Sequence, residues 1–279
     1  MALWFDESYK DVVHFGLRVK RSLYHARSEF QTIDIFDTEK FGRALALDGV
    51  YQTSVADEYY YHEMLVHPAL LCVQRPRRVL IIGGGDGGSA REVLRHPEVE
   101  ALTLCELDGA VVRACQQHLK ELSVPWDSDR LEVLFRDGVA YLKEHAGEPF
   151  DVILVDGPDP VGPAEGLFGS PFYEACRSRL REGGVLAVQS ESPFMMREDF
   201  VRIVKTLRGV FASATPYYAQ VPIYVSGIWS WTFAADGVEP LAFDAVRAER
   251  IEQQTRYYNR DIHRAAFAQP NDVKKLLAD

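Results

Sequence analysis

Cysteine is scarce in this 279-residue chain. Cys72, Cys105, Cys115 and Cys176 are scattered, and no two form a CxxC pair. That spacing argues against a metal centre and, at this length, against a disulfide framework, so reduced buried thiols are expected. No run approaches the ~20 uncharged apolar residues needed to cross a bilayer, so no membrane span is expected. Blocks of Lys and Arg are missing too. The formal net charge is −10, the wrong sign for a nucleic-acid partner. An acidic surface suits a cationic ligand, whose local concentration its field raises. The opening Met1-Ala2-Leu3-Trp4-Phe5-Asp6-Glu7 lacks a basic segment followed by an apolar run. It therefore does not read as a signal peptide, and a cytoplasmic location is expected. Internal repeats and low-complexity segments are absent.

Hydrophobic residues make up 47%, ample for a core, and charged residues the ordinary 26%. The first seventy residues alternate in the manner of antiparallel strands. Leu17-Arg18-Val19-Lys20, Phe30 to Phe36 and Arg43 to Leu47 all do so. Asp48-Gly49 is a hairpin signal before Val50-Tyr51-Gln52. Glu58 to Cys72 reads as a helix. From Arg78 onward, short apolar strands alternate with helical segments. The strands are Val79–Ile82, Leu102–Cys105, Leu131–Phe135, Phe150–Val155 and Val185–Val188. The helices fall near Ser89–His96, Gly109–Lys120 and Phe172–Arg181. This predicts an α/β fold, a doubly wound parallel sheet buried on both faces, after a small N-terminal antiparallel β domain. The boundary is placed at Gln74-Arg75-Pro76-Arg77, giving domains 1–74 and 75–279.

Gly83-Gly84-Gly85-Asp86-Gly87-Gly88 follows the first buried strand and precedes a helix. GxGxxG in that context points to a nucleotide or nucleoside site. A dinucleotide would set its pyrophosphate on this loop. Asp86 inside the loop would repel a pyrophosphate and attract an ammonium group. This favours an adenosyl ligand carrying positive charge, such as S-adenosylmethionine or its decarboxylated form. Glu106, ending the second strand, stands where an acid commonly holds ribose hydroxyls. Asp137 and Gly138 end the third strand, where an adenine amino group would lie.

Asp156-Gly157-Pro158-Asp159-Pro160-Val161-Gly162-Pro163 ends the fourth strand as a rigid loop. Paired carboxylates suit a cationic amine. A primary amine of pKa near ~10.4 is protonated at neutral pH and cannot attack until it loses a proton. Asp156 can bind the ammonium and then accept that proton, while Asp159 orients it.

Leu47 to Gln52 and Asp57-Glu58-Tyr59-Tyr60-Tyr61-His62-Glu63-Met64 resemble the spermidine synthase signature. So do the GGGDGG loop with Arg91-Glu92-Val93 and His96, and the Asp156–Pro163 loop with Ala164 and Leu167-Phe168. Val221 to Gly227 is similar to that family's IPTYPSG segment, and Tyr257 to His263 to the tail of its bacterial members. The resemblance covers nearly the whole chain. It implies a class I methyltransferase-type, Rossmann-like domain and a homodimer or homotetramer. It implies decarboxylated S-adenosylmethionine as co-substrate with no metal and no bound cofactor, and putrescine as acceptor. By motif position, Gln31, His62, Gly83, Gly85, Asp86, Gly88, Glu106, Asp137 and Gly138 would bind the donor. Asp156 would be the proton acceptor, with Tyr61, Asp159 and Tyr224 aligning the amine. Gln52 and Gln189 are further pocket candidates. Trp229 and Trp231 are expected to pack on the sheet.

The chain departs from the pattern with Gly157-Pro158 between the two loop acids, and with IYVSG for TYPSG. Glu191, in Gln189-Ser190-Glu191-Ser192-Pro193, is read as an added acid on the acceptor channel. It opens agmatine or another polyamine as an alternative acceptor. A methyltransferase is the remaining enzymatic alternative. It must accept the donor's carboxylate, which Asp86 would repel.

Overall fold

The computed structural model describes residues 3–122, 126–160 and 162–278. Met1 and Ala2 of the opening segment, Val161 of the acidic loop and the side chain of Pro163 lie outside the described residues.

Five strands come first: β1 (Leu3–Tyr9), β2 (Val13–Arg27), β3 (Thr32–Thr38), β4 (Gly42–Leu47) and β5 (Val50–Ser54). Each pairs antiparallel with the next. At the β4–β5 turn, Asp48 and Gly49 take φ of +47° and +86°. A two-residue hairpin whose twist matches its strands needs that conformation. Strand β1 is additional to those expected from the sequence. Its one buried residue is Glu7, so an acid occupies the inward position that an apolar side chain normally marks.

Helix α1 (Glu58–Cys72) leads into the second sheet. There β6 (Arg78–Gly83), β7 (Ala101–Glu106), β8 (Leu131–Phe135), β9 (Phe150–Asp156) and β10 (Leu180–Gln189) run parallel. Strands β11 (Ser213–Gln220) and β12 (Ile228–Ala235) add an antiparallel edge, in the order β11-β12-β10-β9-β6-β7-β8. The helices between and after them are α2 (Gly88–Leu94), α3 (Gly109–His118), α4 (Gly138–Glu144), α5 (Ser170–Arg179) and α6 (Arg197–Val210). The chain closes with α7 (Ala245–Glu252), α8 (Arg260–Ala266) and α9 (Asn271–Leu276). The parallel sheet with helices expected from the strand–helix alternation is present, in the class I methyltransferase-like form that the resemblance implies. The antiparallel edge was not expected. Gly183 and Gly184 lie inside β10, where the pairing register shifts.

Val79 to Ile82, Val152 to Val155 and Val185 to Val188 are all essentially inaccessible. Each Val, Leu and Ile side chain among them contributes about 1.5–3 kcal/mol on full burial. Helix α1 covers this sheet. It was expected with the N-terminal unit, yet it packs against α2, β9, β10 and β11. Its residues from Tyr61 to Leu71 are buried, so it needs apolar partners on more than one side. Glu63 pins the C-terminal segment from beneath, accepting the backbone N–H groups of Arg256, Tyr257 and Tyr258 at 2.7–2.8 Å.

Strand β6 is the topological switch point, with β7 on one side and β9 on the other. Ligands of such sheets bind outside the strand ends at that point. The register sets Gly83 beside Asp156, so the glycine loop and the acidic loop share one crevice.

Candidate active site

A cavity of about 480 Å³ opens at the carboxyl ends of β6, β7, β8 and β9. That size suits a nucleoside. Gly83, Gly84 and Gly87 take φ of +84°, +71° and +88°, a region closed to most side chains. Gly84 N–H donates to Asp156 O at 2.9 Å, and a Cβ on Gly83 would sit 2.1 Å from that oxygen. The glycines thus let the two loops touch through their backbones.

Beneath the loop lies a buried row of charges. His62 Nε2 is 3.3 Å from Asp86 Oδ2, and Nδ1 is 2.7 Å from Glu58 Oε2. Burial opposes charge on the ring, but the carboxylates of Asp86 and Glu58 outweigh it. The histidine pKa stands well above its ordinary value. Burial pushes Asp86 the other way from its outcome; the His62 charge and the Gly88 N–H hold it below the usual carboxylate range. Arg91 continues the row, 2.7 Å from both Glu58 and Glu92. Asp86 is therefore an anion whose cationic partner sits behind it, and it lines the cavity in front. Gly88 does not line the cavity. It lies under the imidazole, where a Cβ would meet His62 Cε1 at 2.2 Å.

Four polar groups face the β7–β8 side. Burial raises Glu106 to about 7, against hydrogen bonds from the N–H groups of Asp108 and Gly85. Asp137 caps α4 by accepting Ala140 N–H at 2.7 Å and also lines the cavity, with Gly138 beside it. Gln31 reaches in from the first sheet and donates to Asp108 Oδ2 at 3.0 Å. Asp108 itself was not singled out from the sequence. It caps α3 and binds Ser28 and Gln31, joining the two sheets at the cavity wall.

The large cavity leads into a narrow one of about 30 Å³. Tyr61, Gln52, Asp159 and Tyr224 line both. Tyr59 and Tyr60 turn away, Tyr59 under Arg256 and Tyr60 against Tyr257. Tyr224 donates to Gln52 O at 2.8 Å and its ring lies 5.9 Å from that of Tyr61. The Tyr61 hydroxyl and the Asp156 carboxyl lie close enough to act on each other electrostatically. Burial lifts Asp156 above the usual range, with His62 opposing and Asp86 assisting. Burial brings Asp159 to about 6, with Asp199 adding to the rise.

The far end of the narrow cavity holds a residue that sequence reasoning missed, Glu7 of β1. Burial raises it to about 7, offset by the Tyr51 N–H it accepts and increased by Asp159. Nothing local in the sequence signals it. Trp229 also lines this cavity, against Tyr224, whereas Trp231 is wholly buried. Gln189 lines it as well. Glu191, expected there, does not. It lies fully buried behind Gln189 at φ +67°, with one oxygen 3.0 Å from Gln189 Nε2. β10 ends at Gln189, and the chain folds Glu191 inward behind it.

Among the described residues no helix is long and apolar enough to cross a membrane, and no group of three or more His, Cys, Asp or Glu could hold a metal ion.

A nucleoside-sized cavity at the switch point, opening past two tyrosines into an acid-lined pocket, defines a transferase site on a class I methyltransferase-like fold. Comparison with known proteins gives the family. Residues 58–241 match the model of the spermine/spermidine synthase domain, and residues 3–54 that of the spermidine synthase tetramerisation domain. The polyamine aminopropyltransferase of Thermoanaerobacter sp. (strain X514) is 42% identical over 277 residues, covering 99% of each chain. That of Desulforudis audaxviator is 43% identical over 280 residues, covering 100% of this chain and 99% of the relative. A crystal structure of spermidine synthase in complex with the transition-state analogue AdoDATO matches with a TM-score of 0.96 at 39% identity, covering 99% of this chain and 95% of the other. The spermidine synthase of Thermotoga maritima matches at 0.93 and 38%, covering 99% and 94%. The chain belongs to the spermine/spermidine synthase family and is a transferase of that family.

Proposed function

We propose that the protein transfers the aminopropyl group of decarboxylated S-adenosylmethionine to putrescine, giving spermidine and 5′-methylthioadenosine. The observation that carries this reading is the junction of the two cavities at Tyr61, Asp159 and Tyr224, beside Asp156. The adenosyl part fits the large cavity, with Glu106 toward the ribose, Asp137 toward the adenine and Asp86 on the donor's ammonium. The diamine fits the narrow one, with one cation near Glu7 and Asp159. Its reacting nitrogen gives a proton to Asp156. The freed lone pair then forms the new C–N bond, and the C–S bonding pair returns to sulfur. Sulfonium is a good leaving group, so alignment and a deprotonated amine are what the site supplies. Glu7 and Asp159 would also hold a guanidinium, which keeps agmatine as a second acceptor. Assembly as a homodimer or homotetramer is supported by the match of residues 3–54. Leu3 and Trp4 on β1 and Val12 in the β1–β2 turn, exposed by 56%, 54% and 75%, also favour it.

The test is release of methylthioadenosine from the decarboxylated donor with putrescine, cadaverine, agmatine, spermidine or no amine. Amine-dependent release with putrescine preferred is expected, and preference for agmatine would reassign the acceptor. No release with any amine, with ordinary S-adenosylmethionine bound instead, would return the chain to the methyltransferases.

A further inference from the structure

Ser89 follows the glycine loop as the second residue of α2 and is fully buried. Its hydroxyl donates to Asp156 Oδ2 at 2.6 Å. The same oxygen is pressed against the loop, since a Cβ on Gly84 would lie 3.0 Å from it. One oxygen of the carboxyl is thereby tied to the donor-binding loop and helix. The rotation of the whole group follows from that tie, because a carboxylate is planar and turns as a unit.

We propose that Ser89 is a positioning residue for aminopropyl transfer: its hydroxyl fixes the orientation of the Asp156 carboxylate and favours the ionised form that can take the amine's proton. The inference rests on the proton-acceptor role given to Asp156 above. A buried carboxyl tends toward its neutral form, which has no capacity to accept a proton from the amine. A hydroxyl donor at 2.6 Å has the short distance of a charge-assisted bond and favours the anion.

The other groups facing Asp156 act in both directions. Tyr61 and His62 from α1 favour its anion; Asp86 from the loop opposes it. Glu106 at the end of β7 and Tyr224 also feel its charge, and Asp159 follows in its own loop. Ser89, unlike His62 and the carboxyls among these, is uncharged at every working pH. Its contribution is constant, whereas those of the carboxyls change as they titrate.

The experiment compares the pH dependence of kcat for wild type, Ser89→Ala, Ser89→Cys and Ser89→Thr, with Asp156→Asn alongside. In S89A the acid limb is expected to move to higher pH by about one unit, the order set by a hydrogen bond to an ionised group. S89C, a weaker donor of similar size, should shift less, and it covers the case of S89A failing to fold. S89T keeps the hydroxyl and should keep the wild-type limb. Donor KM should change by less than about twofold throughout. An S89A limb superimposed on wild type would overturn the proposal. So would an equal loss of kcat at every pH, which marks a merely structural residue. Near-normal turnover in D156N would instead remove the proton-acceptor reading itself. An inactive D156N with an unshifted S89A leaves that reading standing and removes only the role of Ser89.

Discussion

His62 and Asp86 face each other across 3.3 Å, with Glu58 only 2.7 Å from the opposite ring nitrogen. A protonated imidazole between two carboxylates balances the buried charge beneath the glycine loop. His62→Gln leaves both acids without that cation and should cost about 3 kcal/mol of folding stability. The pH dependence has a definite sign. The folded pKa of His62 is raised, so its contribution is full below the unfolded value of about 6.5 and is lost as pH rises through the folded value. Urea unfolding of wild type and variant across a pH series should show the widest gap below that point and a narrowing one in alkali.

Asp156→Asn keeps the shape of the group and removes its basicity. A fall in kcat of roughly 10²–10⁴-fold is expected. Donor affinity by calorimetry should barely change.

Asp86→Ala should weaken binding of the decarboxylated donor by about tenfold or more, the cost of a lost hydrogen bond to a charged group. Methylthioadenosine lacks the ammonium and should lose much less. Equal losses for the two ligands in parallel titrations would remove the ammonium contact.

Glu7→Gln separates binding from stability. The Glu7 pKa is raised to about 7, so the acid's stability contribution is full below its unfolded value and is lost as pH rises toward 7. At pH 8 the Gln variant should therefore be more stable than wild type, by roughly 2 kcal/mol. Its KM for putrescine should rise while donor affinity holds. The wild-type kcat/KM for the diamine should also rise with pH through about 7 as Glu7 ionises, and that limb should flatten in the variant.

Gly88→Ala drives a Cβ into the His62 ring. Overpacking of this kind costs about 1–3 kcal/mol, and it displaces the partner of Asp86. Lower thermal stability and weaker donor binding should appear together.

Much of this architecture is legible in the sequence because its signals are local. The apolar runs of β6, β7 and β9 and the Glu58–Cys72 helix depend on nearest neighbours in the chain. So do the glycine loop and the Asp48-Gly49 hairpin. Asp86, Glu106, Asp137 and Asp156 stand at strand ends, and in a parallel sheet those ends converge. Glu7 was not legible, because its burial is set by β2 and β5 and its place in the narrow cavity by α1 and the 221–227 segment. Glu191 read as a channel acid by its position after Gln189, and the backbone at φ +67° turned it inward.

The sequence by itself determined the fold class, the family and the chemical character of the site, since residue type and spacing carry period, turn geometry and charge. The tertiary structure alone decided which of Tyr59, Tyr60 and Tyr61 faces the cavity. It also decided that His62 sits between two acids, and that β1 closes the narrow cavity with Glu7. These depend on contacts between segments far apart in the chain. Burial and charge pairing exist only once those segments are packed together.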